Sequence, residues 1–163
     1  MRVVVFGSLD LTDRRAVYLI LDHLSATRHF SVVIHGDYRG VDWLARDWAR
    51  AREIRDEPYP AEWKRFRKSA GPIRNERMIR EGKPEFAVEF PGGAGTADMR
   101  VRCAIAGIAR CVVEVKLRRA PIPFVVKTED WWRLVNVQSL AGAERIELPG
   151  ADFGDPAVPS TRT

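Results

Sequence analysis

Three times between residues 3 and 106 a short apolar run ends in a glycine-bearing turn, and a helical pattern follows. Val3–Phe6 runs into GSLD at 7–10, Phe30–Ile34 into HGDYRG at 35–40, and Phe86–Phe90 into PGGAGT at 91–96. Behind the turns, Ala16, Val17, Ile20, Leu21 and Leu24 form one helical stripe, with Thr12 or Asp13 as its cap, and Val41, Leu44, Ala45, Trp48 and Ala49 form another. The third helix is expected over Thr96–Ala106. Weaker strands at Ile54–Tyr59 and Cys111–Val115, and a helical stretch at Glu62–Arg80 interrupted by Gly71-Pro72, complete the alternation. Strands that alternate with helices predict an α/β fold: a Rossmann-like parallel sheet with helices on both faces, in a single domain. Such sheets bind ligands beyond the carboxyl ends of their strands, where the strand order reverses. The three turns therefore converge on one crevice.

The chain's 163 residues suit one domain, and 45% hydrophobic residues are enough for a sizeable core. No apolar run approaches the roughly 20 residues that span a bilayer, and MRVVVFGS reads as a buried strand, not a signal peptide. Cys103 and Cys111 lack zinc-site or disulfide-scaffold spacing and read as reduced thiols in a cytoplasmic protein. A formal charge of +5 suits a phosphate-bearing ligand without arguing for DNA. No metal cluster, no cofactor signature and no cysteine–histidine or serine–histidine pairing stands out. The expected organisation is a nucleotide-binding core at 1–117, an extension at 118–148 that packs on it, and a disordered tail at 149–163 rich in Pro, Gly and Ser. Within the extension, Thr128–Leu140 reads as an amphipathic helix.

Gly92, Gly93 and Gly95 let the backbone approach a ligand closely, and the helix that starts near Thr96 points its free amides at that ligand. The alternative is a tight strand-to-helix turn with no ligand. In the second turn Gly36 and Gly40 bracket a loop that carries Asp37. Asp42 falls in the first helical turn, where it either caps the helix or accepts hydrogen bonds from a ribose. His35 reads as a structural histidine. In WKRFRKSAGPIRNERM, Pro72 suits a first helical position, and Arg74 and Asn75 near the helix start suit a phosphate or a sugar. The KRFRK run at 64–68 reads as a solvent face. Trp63 either stacks on a base or packs inside.

Taken together, GSLD, HGxxxGVDxLAxxWA, PAEWKRFxxxAGPIRNERM and FPGGAGTADM resemble the YspA and cpYpsA-related branch of the SLOG superfamily, over roughly residues 2–115. That superfamily is Rossmann-like and associated with nucleotide-derived ligands. It includes the Lonely Guy phosphoribohydrolases and the DNA-processing protein DprA, and members of this branch often sit in phage or mobile-element gene sets. The resemblance implies that Gly92, Gly93, Gly95 and Thr96 cradle a phosphate, that Gly7, Ser8, Gly36, Gly40 and Asp42 line the same crevice, and that Arg74 and Asn75 lie near the sugar and phosphate. Related proteins often dimerise. Two departures stand out: Leu9 replaces an arginine common in the first turn, and Met99 stands where Lonely Guy enzymes carry a catalytic glutamate.

The expected function is binding of a nucleotide-derived small molecule through the PGGAGT turn, followed by hydrolysis of its N-glycosidic bond. Asp98 is the first catalytic candidate, Asp42 and Glu76 are the alternatives, and Arg74 holds the phosphate. Two other classes compete: a nucleotide-signal sensor without turnover, which the missing glutamate favours, and a single-stranded DNA-binding protein that uses Trp63 and the basic run.

Overall fold

The computed structural model of the protein describes residues 1–116, 136–140 and 143–149, with side chains through 113. Its sheet has the strand order β3-β2-β1-β4-β5-β7-β6, in which β1 is Arg2–Phe6, β2 Val32–His35, β3 Arg55–Pro58, β4 Phe86–Glu89, β5 Ala109–Lys116, β6 Asn136–Leu140 and β7 Ala143–Pro149. β1 pairs in parallel with β2 (Val4↔Ile34) and with β4 (Val4↔Ala87). The chain winds from β1 to β2 and β3 on one side, then returns to lay β4 and β5 on the other. The reversal puts a switch point between β1 and β4, the place where parallel α/β sheets hold ligands.

The central strands β1 and β2 are short, β-branched and buried on both faces, as a doubly covered parallel sheet requires. Val3, Val5 and Val33 pack on α1 (Arg14–Arg28) and α2 (Val41–Ala51) through Val17, Ile20, Leu21 and Trp48. Val4, Phe6 and Ile34 pack on α4 (Ala70–Arg80) and α5 (Ala94–Ile105) through Met78, Met99 and Cys103. Asp13 is the cap of α1, accepting from the Ala16 amide at 3.0 Å. Trp48 satisfies its indole N–H on Asp22 at 2.9 Å. Cys103 and Cys111 are buried, and burial pushes the Cys103 thiol up to about 12. Among the described residues, no helix is long and apolar enough to cross a membrane.

Two expectations need correction. The break in the Glu62–Arg80 stretch falls at Arg67–Ser69, a 3-10 turn entered through left-handed Arg67 (φ 48°), and separates the short α3 (Trp63–Phe66) from α4. Pro72 is then the third residue of α4, not the first. It is tolerated there because the first-turn amides have no intrahelical acceptor. The helix expected over Thr128–Leu140 is replaced, where that stretch is described, by β6, which pairs antiparallel with β7 (Val137↔Ile146). β7 in turn pairs in parallel with β5 (Cys111↔Glu144) and covers an edge that the core strands leave open. Residues 128–135 and the tail beyond Pro149 lie outside the described residues.

Candidate functional site

Beyond the carboxyl ends of β1 and β4 lies a cleft of about 400 Å³. One wall is the turn after β1, with Gly7, Ser8, Leu9 and Asp10. The start of α5, with Gly93, Gly95 and Thr96, forms the second, and Met99 stands one turn further along. Tyr38 and Asp42 come from the loop before α2 and from its first turn; Trp63, Arg74 and Asn75 come from α3 and α4. The turn after β1 is tied to both neighbours, because the Ser8 amide donates to Pro91 O at 2.8 Å and Ser8 O accepts from the Val41 amide at 3.2 Å.

The helices α2 and α5 both start at this end of the sheet, and their N-termini differ. The start of α2 is occupied: its Val41 amide is bonded to Ser8 O, and Asp42 accepts hydrogen bonds from the Gly36 and Tyr38 amides. The start of α5 is open. Gly93 caps it without a side-chain bond. The first intrahelical bond is Ala97 N–H to Gly93 O at 3.0 Å, so the amides of Ala94, Gly95 and Thr96 precede it. Such orphan donors, at the positive end of a helix dipole, suit an anion. A Cβ on Gly93 or Gly95 would meet nothing within 4 Å, so the backbone there faces free space. Gly92 serves differently: a Cβ on it would strike the Thr96 hydroxyl and come within 2.9 Å of the Ser8 amide, so its bareness closes the turn on β1.

Arg74 supplies the positive side chain of the cleft wall. It is 16% exposed and donates through Nη1 to Gly36 O at 2.8 Å and to Asp42 Oδ2 at 3.3 Å. Its buried Nε has no partner among the described residues. Gly36 makes this seat, because a Cβ there would overlap the guanidinium. Gly36→Ala is therefore expected to dislodge Arg74 and to weaken anion binding at least as much as Arg74→Ala does, measurable by titration with inorganic phosphate. Equal affinity in the wild type and Gly36→Ala would separate the seat from the site.

Asp42 is the buried carboxylate of the cleft. Burial pushes its pKa up from 3.8 to about 6, against the pull of Arg74 and of the Gly36 and Tyr38 amides. A carboxyl raised in this way takes up its proton more readily folded than unfolded. Its stabilising contribution is fully present below 3.8 and is lost as pH rises through about 6. Above that pH Asp42 is a buried carboxylate short of solvation, which a ligand's hydroxyl donors would satisfy.

The other nominated carboxylates are set back from the wall. Asp98 is 29% exposed and accepts from Asn75 Nδ2 and from Arg102 Nε, both at 2.8 Å. Asn75 Nδ2 also donates to Gly95 O at 3.2 Å, so both its hydrogens are committed and its free group is the carbonyl oxygen. Asp98 thus orients Asn75. Glu76 is 58% exposed and pairs with Arg102 at 3.3 Å, away from the cleft. Met99 faces the cleft in the stripe Thr96, Met99, Cys103, the buried side of α5. Gly36, Asp37 and Gly40 stand behind the wall. His35 is fully buried, with Nδ1 accepting from the Asp37 amide at 3.1 Å and Nε2 facing Asp56 at 3.4 Å. Burial lowers its pKa despite Asp56. Lys64, Arg65, Arg67 and Lys68 are exposed.

The nominated set lacked Tyr38 and Asp10, and it left Trp63 undecided. The signal for Tyr38 was its place between Gly36 and Gly40, in a loop that must face the crevice. Among the described residues, no group of three or more His, Cys, Asp or Glu is placed to hold a metal ion.

A doubly covered parallel sheet with an open helix N-terminus and a seated arginine at its switch point defines a Rossmann-like protein equipped for an anionic ligand. The chain belongs to the YspA, cpYpsA-related SLOG family, whose match covers residues 1–66, and this membership points to a nucleotide-related ligand. It is similar to the Gene 61 protein of Mycobacterium phage D29, at 34% identity over 98 residues that span 56% of this chain and 78% of the phage protein. No solved structure matches.

Proposed function

We propose that the protein works in the cytoplasm, binding a nucleotide-derived ligand in this cleft and hydrolysing its N-glycosidic bond. The phosphate lies over the amides of Ala94, Gly95 and Thr96, and the ribose lies against the Asp42–Arg74 pair. The observation that carries the reading is the pairing of an open α5 N-terminus with Arg74, whose buried Nε lacks a partner. Hydrolysis puts a water oxygen on C1′ as the bond from C1′ to the base breaks; the base leaves with the electron pair and takes a proton. Positive charge develops at C1′, and ionised Asp42 is the carboxylate of the cleft able to stabilise it or to take the proton of the water. Asp98 and Glu76 act through Asn75 and Arg102, behind the wall.

The test is a panel of nucleoside 5′-phosphates, with thermal shift for binding and chromatography for released base. Shift with base release supports the proposal, and shift without release rejects hydrolysis. Because only ionised Asp42 is a pure acceptor, kcat/KM is expected to level off above pH 7 and to fall up to about tenfold per unit below its pKa of about 6. A flat profile between pH 5 and 7 would remove Asp42 from the reaction. A second reading, a sensor without turnover, is favoured by Met99, which puts an apolar side chain at the cleft wall where hydrolytic relatives carry a glutamate.

A further inference from the structure

We propose that Tyr38 and Trp63 form a base-stacking corner in the cleft, so that its ligand must carry an aromatic base and not a sugar phosphate alone. The inference rests on the proposed phosphate site, which lies in the same cleft. Both rings line it, and they are 40% and 47% exposed. Their centroids lie 6.2 Å apart with a tilt of 52°, so together they present a face and an edge instead of a closed stack. Neither ring belongs to the core. Trp48 shows what this chain does with a structural tryptophan: it is fully buried, with its N–H bonded to Asp22.

The corner is built by local geometry. Asp37 is left-handed (φ 51°) and its amide is held by His35 Nδ1, which turns the loop and presents Tyr38 to the cleft. Trp63 opens α3, and its indole reaches over Gly71, where even an added Cβ would stand 3.6 Å away. A sugar phosphate offers no flat apolar face to such a surface. A base does, and stacking is tolerant of base identity because every base has a π-face. The class recognised is therefore the nucleoside phosphate, with purines favoured over pyrimidines by stacking area.

The test compares adenosine 5′-monophosphate, ribose 5-phosphate and adenosine by calorimetry, on the wild type and on the double variant Tyr38→Ala/Trp63→Ala. Circular dichroism verifies that the variant is folded, which is expected because both side chains are exposed. Stacking predicts that the wild type binds adenosine monophosphate roughly 5- to 150-fold more tightly than ribose 5-phosphate. The double variant is expected to lower the first affinity to the level of the second and to leave the second unchanged. Equal affinity for the two phosphates in the wild type overturns the corner and leaves the phosphate site standing, and so does a variant that binds both as the wild type does. Adenosine binding that depends on the two rings, with ribose 5-phosphate silent, supports the corner and overturns the phosphate site. Failure of all three probes to bind overturns both.

Discussion

Gly93→Val is expected to give a folded protein that no longer binds nucleotide phosphates. Gly93 sits at φ −93°, a value open to any residue, and a Cβ there meets nothing within 4 Å. The isopropyl group therefore disturbs no packing. It projects into the open space at the α5 N-terminus that the anion is expected to fill. Loss of two charge-assisted hydrogen bonds, at about 1.5–3 kcal/mol each, weakens binding by at least about 100-fold. Valine is a poorer cap than glycine, so α5 loses on the order of 1 kcal/mol, which lowers Tm by only a few degrees. Titration with adenosine monophosphate, beside a melting curve of the free variant, separates the two effects. Unchanged affinity in a folded Gly93→Val protein would mean that the anion is held elsewhere. The same substitution at Gly92 is not informative, because a side chain there strikes Thr96 and the Gly7–Ser8 turn and damages the fold with the site.

That contrast marks how far the sequence carried the site. Three glycines in PGGAGT look alike as letters, and only Gly93 and Gly95 face free space. The strand–turn–helix units were legible because each is local: a buried apolar run, a turn residue and a helical stripe lie within about thirty residues. The convergence of their turns followed from the topology of parallel sheets. Side-chain aim did not follow as readily. Whether Asp98 or Met99 faces the cleft depends on the rotation of α5, and the helix begins at Ala94 instead of Thr96. The inner stripe was nonetheless written in the spacing of Thr96, Met99 and Cys103, with Asp98 off it.

The carboxyl-terminal strands were missed for the opposite reason. β7 pairs with β5 across more than thirty residues of chain (Arg110↔Ala143), and no local signal encodes that partnership. AERIELP alternates as a strand does, but β6 lies inside the Thr128–Leu140 stretch, whose spacing reads as an amphipathic helix. Trp63 illustrates a different limit. Its exposure follows from the left-handed turn at Arg67, which ends α3 after four residues, and the sequence pointed to Gly71-Pro72 as the break instead.

Asp42→Asn and Asp98→Asn are expected to part company in turnover. Asp42 borders the cleft, is buried, and has its pKa raised to about 6, so it is poised to change protonation during a reaction near neutral pH. Asparagine keeps its size but offers one acceptor oxygen to three donors, Arg74 and the Gly36 and Tyr38 amides, so binding is expected to weaken, though by less than kcat falls. The charge is lost, and with it the stabilisation of a cationic transition state. Base release should fall by ~10²–10⁴-fold, the usual range for an acid–base group. Asp98 touches Asn75 and Arg102 instead. Asparagine at 98 can still accept from Asn75, so the expected loss is below about tenfold and falls on KM, because an oriented Asn75 binds ground state and transition state alike. The measurement is kcat and KM for base release by each variant. A collapse of kcat in Asp98→Asn, with Asp42→Asn near wild type, would return the reaction to α5 and require that Asp98 swing into the cleft when ligand binds. If the wild type binds nucleotide and releases no base, the comparison moves to affinity. Asp42→Asn should then weaken ribonucleotides more than their 2′-deoxy forms, because the hydroxyl that the carboxylate accepts from is present only in the first.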